Sequence, residues 1–184
     1  MIENAMGSVA VFGSSQAARG TPHYALAGDL GRELALLGAE VRCGGYGGVM
    51  EAVATGASQA GGRVVGCTLE WFQQTRVPFS GLDEVHECRN LHSRIECLLK
   101  GARGAVVLPG GVGTFNELFW VWTLLLHDRD EGPESLVLLG AQWDELLVFL
   151  SHHFEFTDPI RGLVSVALTA KEAAAMAWGA SART

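Results

Sequence analysis

Along this chain, short apolar or β-branched runs alternate with longer stretches whose apolar residues recur at helical spacing. The runs Val9–Gly13, Glu40–Cys43, Arg63–Gly66, Ala105–Leu108 and Ser135–Gly140 predict strands, and a further short strand is expected near Glu84–Cys88. The spacing predicts helices over Tyr24–Leu37, Val49–Gln59, Leu91–Lys100, Phe115–His127 and Asp144–His153. A last strand–helix unit covers Gly162–Trp178, with Thr169 as helix cap, and Trp71–Leu82 reads as a loop. Buried strands separated by helices mean an α/β three-layer sandwich, with a mostly parallel central sheet and helices on both faces. No linker or repeat divides residues 1–184, so one domain is expected.

Ligands of such sheets bind outside the carboxyl ends of the strands. Three glycine or serine turns follow strands there: Gly13-Ser14-Ser15, Gly44-Gly45-Tyr46-Gly47-Gly48 and Gly110-Gly111-Val112-Gly113-Thr114. Glycines let the backbone approach a ligand, and the next helix offers free N–H groups at its positive dipole end. Three such turns converging on one sheet edge point to phosphate binding. The dinucleotide fingerprint fails because Gly111-Val-Gly113-Thr-Phe-Asn116 ends in Asn, and neither lysine sits in a P-loop context. A nucleophile elbow and an HExxH pair are also absent from the sequence.

Two charges sit in apolar surroundings. Arg94 lies on the edge of the stripe Leu91, Ile95, Leu98, Leu99 and Ala102, where it needs an anionic partner, a ligand or a route to water. Glu117 is one of three polar residues in Phe115–Leu126, with Asn116 and Thr123. Thr114-x-x-Glu117 also fits a capping box, which would give the carboxylate a purely local role. A helix so apolar all round is expected under the fold or in a subunit interface, where Trp120 and Trp122 would suit the core.

Composition narrows the class further. With 48% hydrophobic and 18% charged residues in 184, the chain is not disordered. The net charge of −7 argues against sequence-independent nucleic-acid binding. No run reaches the ~20 apolar residues of a membrane span, and the N-terminus lacks the pattern of a signal peptide. Cys43, Cys67, Cys88 and Cys97 show no CxxC spacing. They are expected as reduced core thiols of a cytoplasmic protein, with no metal set and no cofactor.

The residues Pro109-Gly110-Gly111-Val112-Gly113-Thr114-Phe115-Asn116-Glu117 match the motif PGGxGTxxE of the LONELY GUY (LOG) family at every fixed position. Val11-Phe12-Gly13-Ser14-Ser15, Gly48-Val49-Met50-Glu51-Ala52, Leu91-His92-Ser93-Arg94 and Trp143-Asp144-Glu145-Leu146-Leu147 resemble other segments of that family, so the likeness covers nearly the whole chain. The resemblance implies a Rossmann-like fold, a homodimer, and hydrolysis of the N-glycosidic bond of a nucleoside 5′-monophosphate, AMP or an N6-substituted AMP. It implies Arg94 and Glu117 as the catalytic pair, and Gly13, Ser14, Ser15, Gly45, Gly48, Met50, Pro109, Gly110, Gly111, Gly113 and Thr114 as phosphate and nucleotide contacts. Ile95 stands where the family has lysine, Cys43 where its glycine turn begins, and Glu51 where glycine is usual. The version GGYGGVMEA also resembles a related branch that includes molybdenum-cofactor carriers, which makes a non-hydrolysing carrier or sensor of a phosphorylated ligand the alternative. The family is often labelled lysine decarboxylase-like. A pyridoxal enzyme needs a Schiff-base lysine, and Lys100 and Lys171 are placed at helix ends with no pocket implied.

Overall fold

In the computed structural model, residues 7–72, 75–127 and 132–179 are described. Seven strands, β1 (Ser8–Phe12), β2 (Glu40–Cys43), β3 (Val64–Leu69), β4 (Glu84–Cys88), β5 (Ala102–Val107), β6 (Ser135–Leu139) and β7 (Val164–Ala167), form one sheet in the order β4-β3-β2-β1-β5-β6-β7. Every pairing is parallel. The helices are α1 (Pro22–Leu36), α2 (Val49–Gln59), α3 (Leu91–Leu99), α4 (Val112–His127), α5 (Gln142–His153), α6 (Asp158–Arg161) and α7 (Ala170–Trp178).

The two-residue period of a strand sends alternate side chains to opposite faces. In β1, Val9 and Val11 join the core under α1, α2 and α7, while Ala10 and Phe12 join the core under α3, α4 and α5. Both faces are covered, so an apolar run such as SVAVF is buried at every position. Edge strand β4 is mostly exposed and correspondingly polar.

Most expected elements stand within a few residues of their bounds. Two shifts matter. Strand β5 begins at Ala102 rather than Ala105, because Arg103 lies against Trp178 and Gly104 packs under the Ala177 carbonyl, disguising the strand as loop. Helix α4 begins at Val112 rather than Phe115. Helix α6, opened by Pro159 in its first turn, lies in a stretch without expected structure. Thr169 caps α7 as expected, accepting from the Glu172 N–H at 3.2 Å. Part of the expected loop Trp71–Leu82, residues 73–74, lies outside the described residues, and Glu70–Phe72 form a 3-10 turn.

Helices α1 and α2 touch backbone to backbone. A Cβ on Gly56 would lie 1.9 Å from the Gly28 carbonyl oxygen, and one on Gly31 would lie 2.0 Å from that of Val53. Alanine for glycine inside a helix ordinarily stabilises by up to about 1 kcal/mol. Here the sign reverses, and Gly56→Ala should destabilise by about 1–3 kcal/mol as the helices are forced apart. A urea midpoint equal to or above that of the unsubstituted protein would refute this packing.

Candidate active site

Strands β1 to β4 are added one after another on one side of β1, and the chain then returns to place β5 on its other side. The connections leaving β1 and β5 diverge, α1 to one face and α4 to the other. A crevice must open between them at the carboxyl edge. It holds a cavity of about 400 Å³.

The turns around the cavity brace one another through Ser14. Its N–H donates to the Pro109 carbonyl at 3.1 Å, and its carbonyl accepts from the Val49 N–H at 2.9 Å. Gly48 holds φ 71°, and a Cβ there would lie 2.3 Å from the Ser14 carbonyl oxygen. Gly110 abuts the Thr114 hydroxyl and the Ser14 nitrogen. These glycines are required by the turn-to-turn fit. Gly111 and Gly113 differ: a Cβ on either would meet nothing within 4 Å, and neither has positive φ. Both line the cavity, at the start of a helix of 16 residues. The protein's own packing gives no reason for glycine at either position. Their bareness opens the first N–H groups of α4, which lack intrahelical partners, toward the cavity.

The capping box expected at Thr114 and Glu117 does not form. The Gly111 carbonyl already accepts from the Phe115 N–H at 3.1 Å, so the helix is under way before Thr114, which is its third residue and buried. Glu117 therefore sits beyond the first turn, facing the cavity.

Arg94 comes from α3, whose start is fixed by a capping box of Asn90 and Ser93. Its Nε donates to the Cys67 carbonyl at 2.8 Å, and its Nη1 lies 3.9 Å from Glu117 Oε1. That separation is an ion pair without a hydrogen bond. The side chains are only 12% and 19% exposed, so neither charge is well hydrated. Burial raises the Glu117 carboxyl from 4.5 to about 7, against the opposing pull of Arg94. Gly44 makes room for this arrangement, because a Cβ there would lie 1.9 Å from Arg94 Nη2.

Of the residues singled out from sequence, Gly13, Ser14, Ser15, Met50, Arg94, Gly111, Gly113, Thr114 and Glu117 line the cavity. Gly45, Gly48, Pro109 and Gly110 do not; they lie behind it and shape the turns. Gln16, Phe72 and Arg76 went unnoticed in the sequence, and Val11, Phe12, Gly44, Tyr46, Leu91 and Val112, which lay in named segments but were not singled out as contacts, complete the wall with them. Only Tyr46 carried a signal, as the one large residue in a glycine turn. Its hydroxyl accepts from the Leu69 N–H at 3.1 Å, and its ring meets Phe72 edge-on at 5.8 Å. Glu51 is held by Arg19 and does not line the cavity, and neither Lys100 nor Lys171 does.

Two further expectations are corrected. Cys67 and Cys97 are not free thiols; a disulfide joins β3 to α3 across 30 residues, a pairing no local spacing announces. Cys43 and Cys88 are free and buried, and burial pushes the Cys43 thiol up to about 11. Trp122 belongs to the intramolecular core rather than to a subunit interface, with its indole N–H donating to the Ile160 carbonyl at 3.0 Å. Among the described residues, no helix is long and apolar enough to cross a membrane, and no group of three or more His, Cys, Asp or Glu is placed to hold a metal.

Gly44→Ala should push the Arg94 guanidinium aside, since the flexible side chain yields more easily than the backbone. Glu117 then loses its nearest positive charge, and its carboxyl should titrate above about 7, followed by carbon-13 NMR. An unmoved titration in a folded Gly44→Ala protein would show that Gly44 does not control the pair.

The family model described as "Possible lysine decarboxylase" matches residues 50–176. A cytokinin riboside 5′-monophosphate phosphoribohydrolase from Rhodococcoides fascians is 34% identical over 152 residues, 79% of this chain and 74% of that protein. An Arabidopsis thaliana protein of the same name is 27% identical over 179 residues, covering 94% and 82%. The molybdenum cofactor carrier protein of Chlamydomonas reinhardtii superimposes with a TM-score of 0.66 at 24% identity, over 92% of this chain and 94% of that one, which shows a shared fold. With its PGGxGTxxE segment at the crevice and these relatives along its length, the chain belongs to the LOG family, to which the lysine decarboxylase description is attached.

Proposed function

We propose that this protein hydrolyses the N-glycosidic bond of a nucleoside 5′-monophosphate, giving a free base and ribose 5-phosphate. One observation carries the reading: a helix start bare of side chains at Gly111 and Gly113 lies within about two helical turns of a buried carboxylate that burial raises to about 7. The names of the relatives support the reaction type. The family resemblance makes AMP or an N6-substituted AMP the first substrates to test.

In this reading the 5′-phosphate rests on the 111–114 turn, with Ser14 and Ser15 beside it, where free N–H groups and the helix dipole favour an anion. Glu117 faces the ribose. As the bond from C1′ to the base nitrogen breaks, its electron pair leaves with the base and positive charge develops on C1′ and the ring oxygen. The Glu117 carboxylate stabilises that charge. Water attacks C1′ and gives a proton to Glu117, while the departing base takes one from solvent. Arg94, held by the Cys67 carbonyl, keeps Glu117 more ionised than burial alone would. Ile95 is buried in the core at 4% exposure, so the family's second cation has no counterpart at this position.

Because the carboxylate is the working form and its proton leaves near pH 7, kcat/KM should rise about tenfold per unit below about 7 and level off above. Glu117→Gln should lower kcat by about 10²–10⁴ while nucleotide affinity stays within a few fold. Turnover at the unsubstituted rate would remove Glu117 from the reaction. If AMP, GMP, CMP and isopentenyl-AMP bind but none releases base, hydrolysis falls and a carrier or sensor role takes its place.

The outer face of α4 supports a homodimer. Phe119 and Leu126, seven residues apart, are 36% and 43% exposed, and Val112 one heptad earlier and Leu91, both of which also line the cavity, are 88% and 55% exposed. A second copy covering this stripe would bury it. Light scattering should give twice 19.6 kDa for the unsubstituted protein and 19.6 kDa for Leu126→Asp. A single-chain mass without the substitution would exclude the dimer.

A further inference from the structure

A second cavity, of about 450 Å³, lies between α3 and the edge strand β4. Its lining includes Arg42, Cys88, Arg89, Lys100 and Cys97, one half of the Cys67–Cys97 bridge. The proposed hydrolysis uses none of these residues.

The two sulfurs of the bridge are not equivalent. Cys67 is fully buried in β3, whereas Cys97 is half-buried and opens on the cavity. A thiolate arriving from solvent therefore meets the Cys97 sulfur and displaces that of Cys67. The protein's own free thiols do not compete. Cys43 belongs to the core on the opposite face of the sheet, and burial pushes the Cys88 thiol up, leaving it little thiolate.

The surroundings of Cys97 are cationic. Arg89 stands just before α3 and Lys100 just after it, so the two bracket Cys97 along the helix. At about 1.5 Å per residue, Lys100 lies roughly 4–5 Å beyond Cys97 along the axis, and Arg89 roughly 12 Å before it. Neither has a carboxylate partner among the described residues. Arg42 is held by Glu40 through Nε and donates from Nη1 to the Cys97 carbonyl at 2.8 Å. Cys88 packs in the same core as Cys67, so the two-residue period of β4 turns the neighbouring Glu87 side chain to the other face. Arg89 and Lys100 thus meet no acidic side chain within the cavity.

We propose that this cavity is an exchange site for a small anionic peptide thiol, one with a carboxylate on each side of its cysteine, which adds to Cys97 and opens the bridge. The incoming thiolate forms a new S–S bond at Cys97, and the electron pair of the old bond leaves on the Cys67 sulfur, which takes a proton from solvent. A second thiol attacking the mixed disulfide releases the oxidised thiol dimer and leaves Cys97 reduced, two electrons having passed from the two thiols to the bridge. The carboxylates face Arg89 and Lys100, which draw the anion in.

Reduced glutathione is the probe, with cysteamine as a cationic counterpart. In protein purified in air without reductant, two of the four thiols should be free after unfolding; four free thiols overturn the proposal. Glutathione should give a product heavier by one whole glutathione, because the thiol adds across the bridge, and peptide mapping after alkylation should place it on Cys97. At low ionic strength the glutathione rate constant should fall about tenfold in the double variant Arg89→Glu, Lys100→Glu, while that of cysteamine rises, and salt should shrink both differences. Thermal melting checks that the variant is folded. An adduct on Cys67, an unopened bridge, or a glutathione rate that charge reversal leaves unchanged overturns the proposal. Rates for both thiols moving in the same direction overturn it too, since they report a loosened or tightened bridge rather than recognition of charge.

Discussion

The site depends on the two hydrogen bonds made by the backbone of Ser14. Through them the end of β1 holds the turn after β5 at Pro109 and the start of α2 at Val49. Three separate chain segments thereby become one rigid rim, and the glycines at 48 and 110 are the sites where a side chain would pry it apart. Backbone groups do this work, so the rim's shape depends on conformation more than on side-chain chemistry. What the rim encloses is correspondingly spare, with a helix start carrying no side chains at Gly111 and Gly113 and a single carboxylate beyond.

That carboxylate sits under two opposed influences. Removal from water favours its protonated form, and the guanidinium across a gap of 3.9 Å favours the ionised one. A closer, hydrogen-bonded pair would hold Glu117 permanently ionised and leave it less able to take a proton. A more distant arginine would leave the carboxyl protonated at neutral pH. The balance near 7 comes from an intermediate spacing, which Gly44 permits by presenting no Cβ to the guanidinium.

The sheet and most of the helices were legible because buried parallel strands and amphipathic helices write different periods into the sequence. The turns were legible because glycine and serine cluster where three strands end. The start of α4 was misplaced because Gly111-Val112-Gly113 reads as loop, whereas in the fold the helix winds through it. The misreading mattered, since it gave Thr114 and Glu117 a local capping partnership that the extra turn forbids. Phe72 and Arg76 belong to the wall through tertiary contacts that no spacing encodes. The cysteine pair was hidden for the same reason: 30 residues separate its members, and only the packing of α3 on β3 brings them together.

The Cys67–Cys97 link reaches beyond its own two residues. Arg94 lies one helical turn before Cys97, and its Nε hydrogen-bonds the carbonyl of Cys67 itself. Helix, sulfur bridge, strand and side chain thus close a small ring with the guanidinium on its circumference. A side chain of such length normally loses much rotational freedom when it takes hold of a ligand. Here most of that freedom is removed when the chain folds, so the guanidinium stands oriented beside Glu117 before anything enters the cavity.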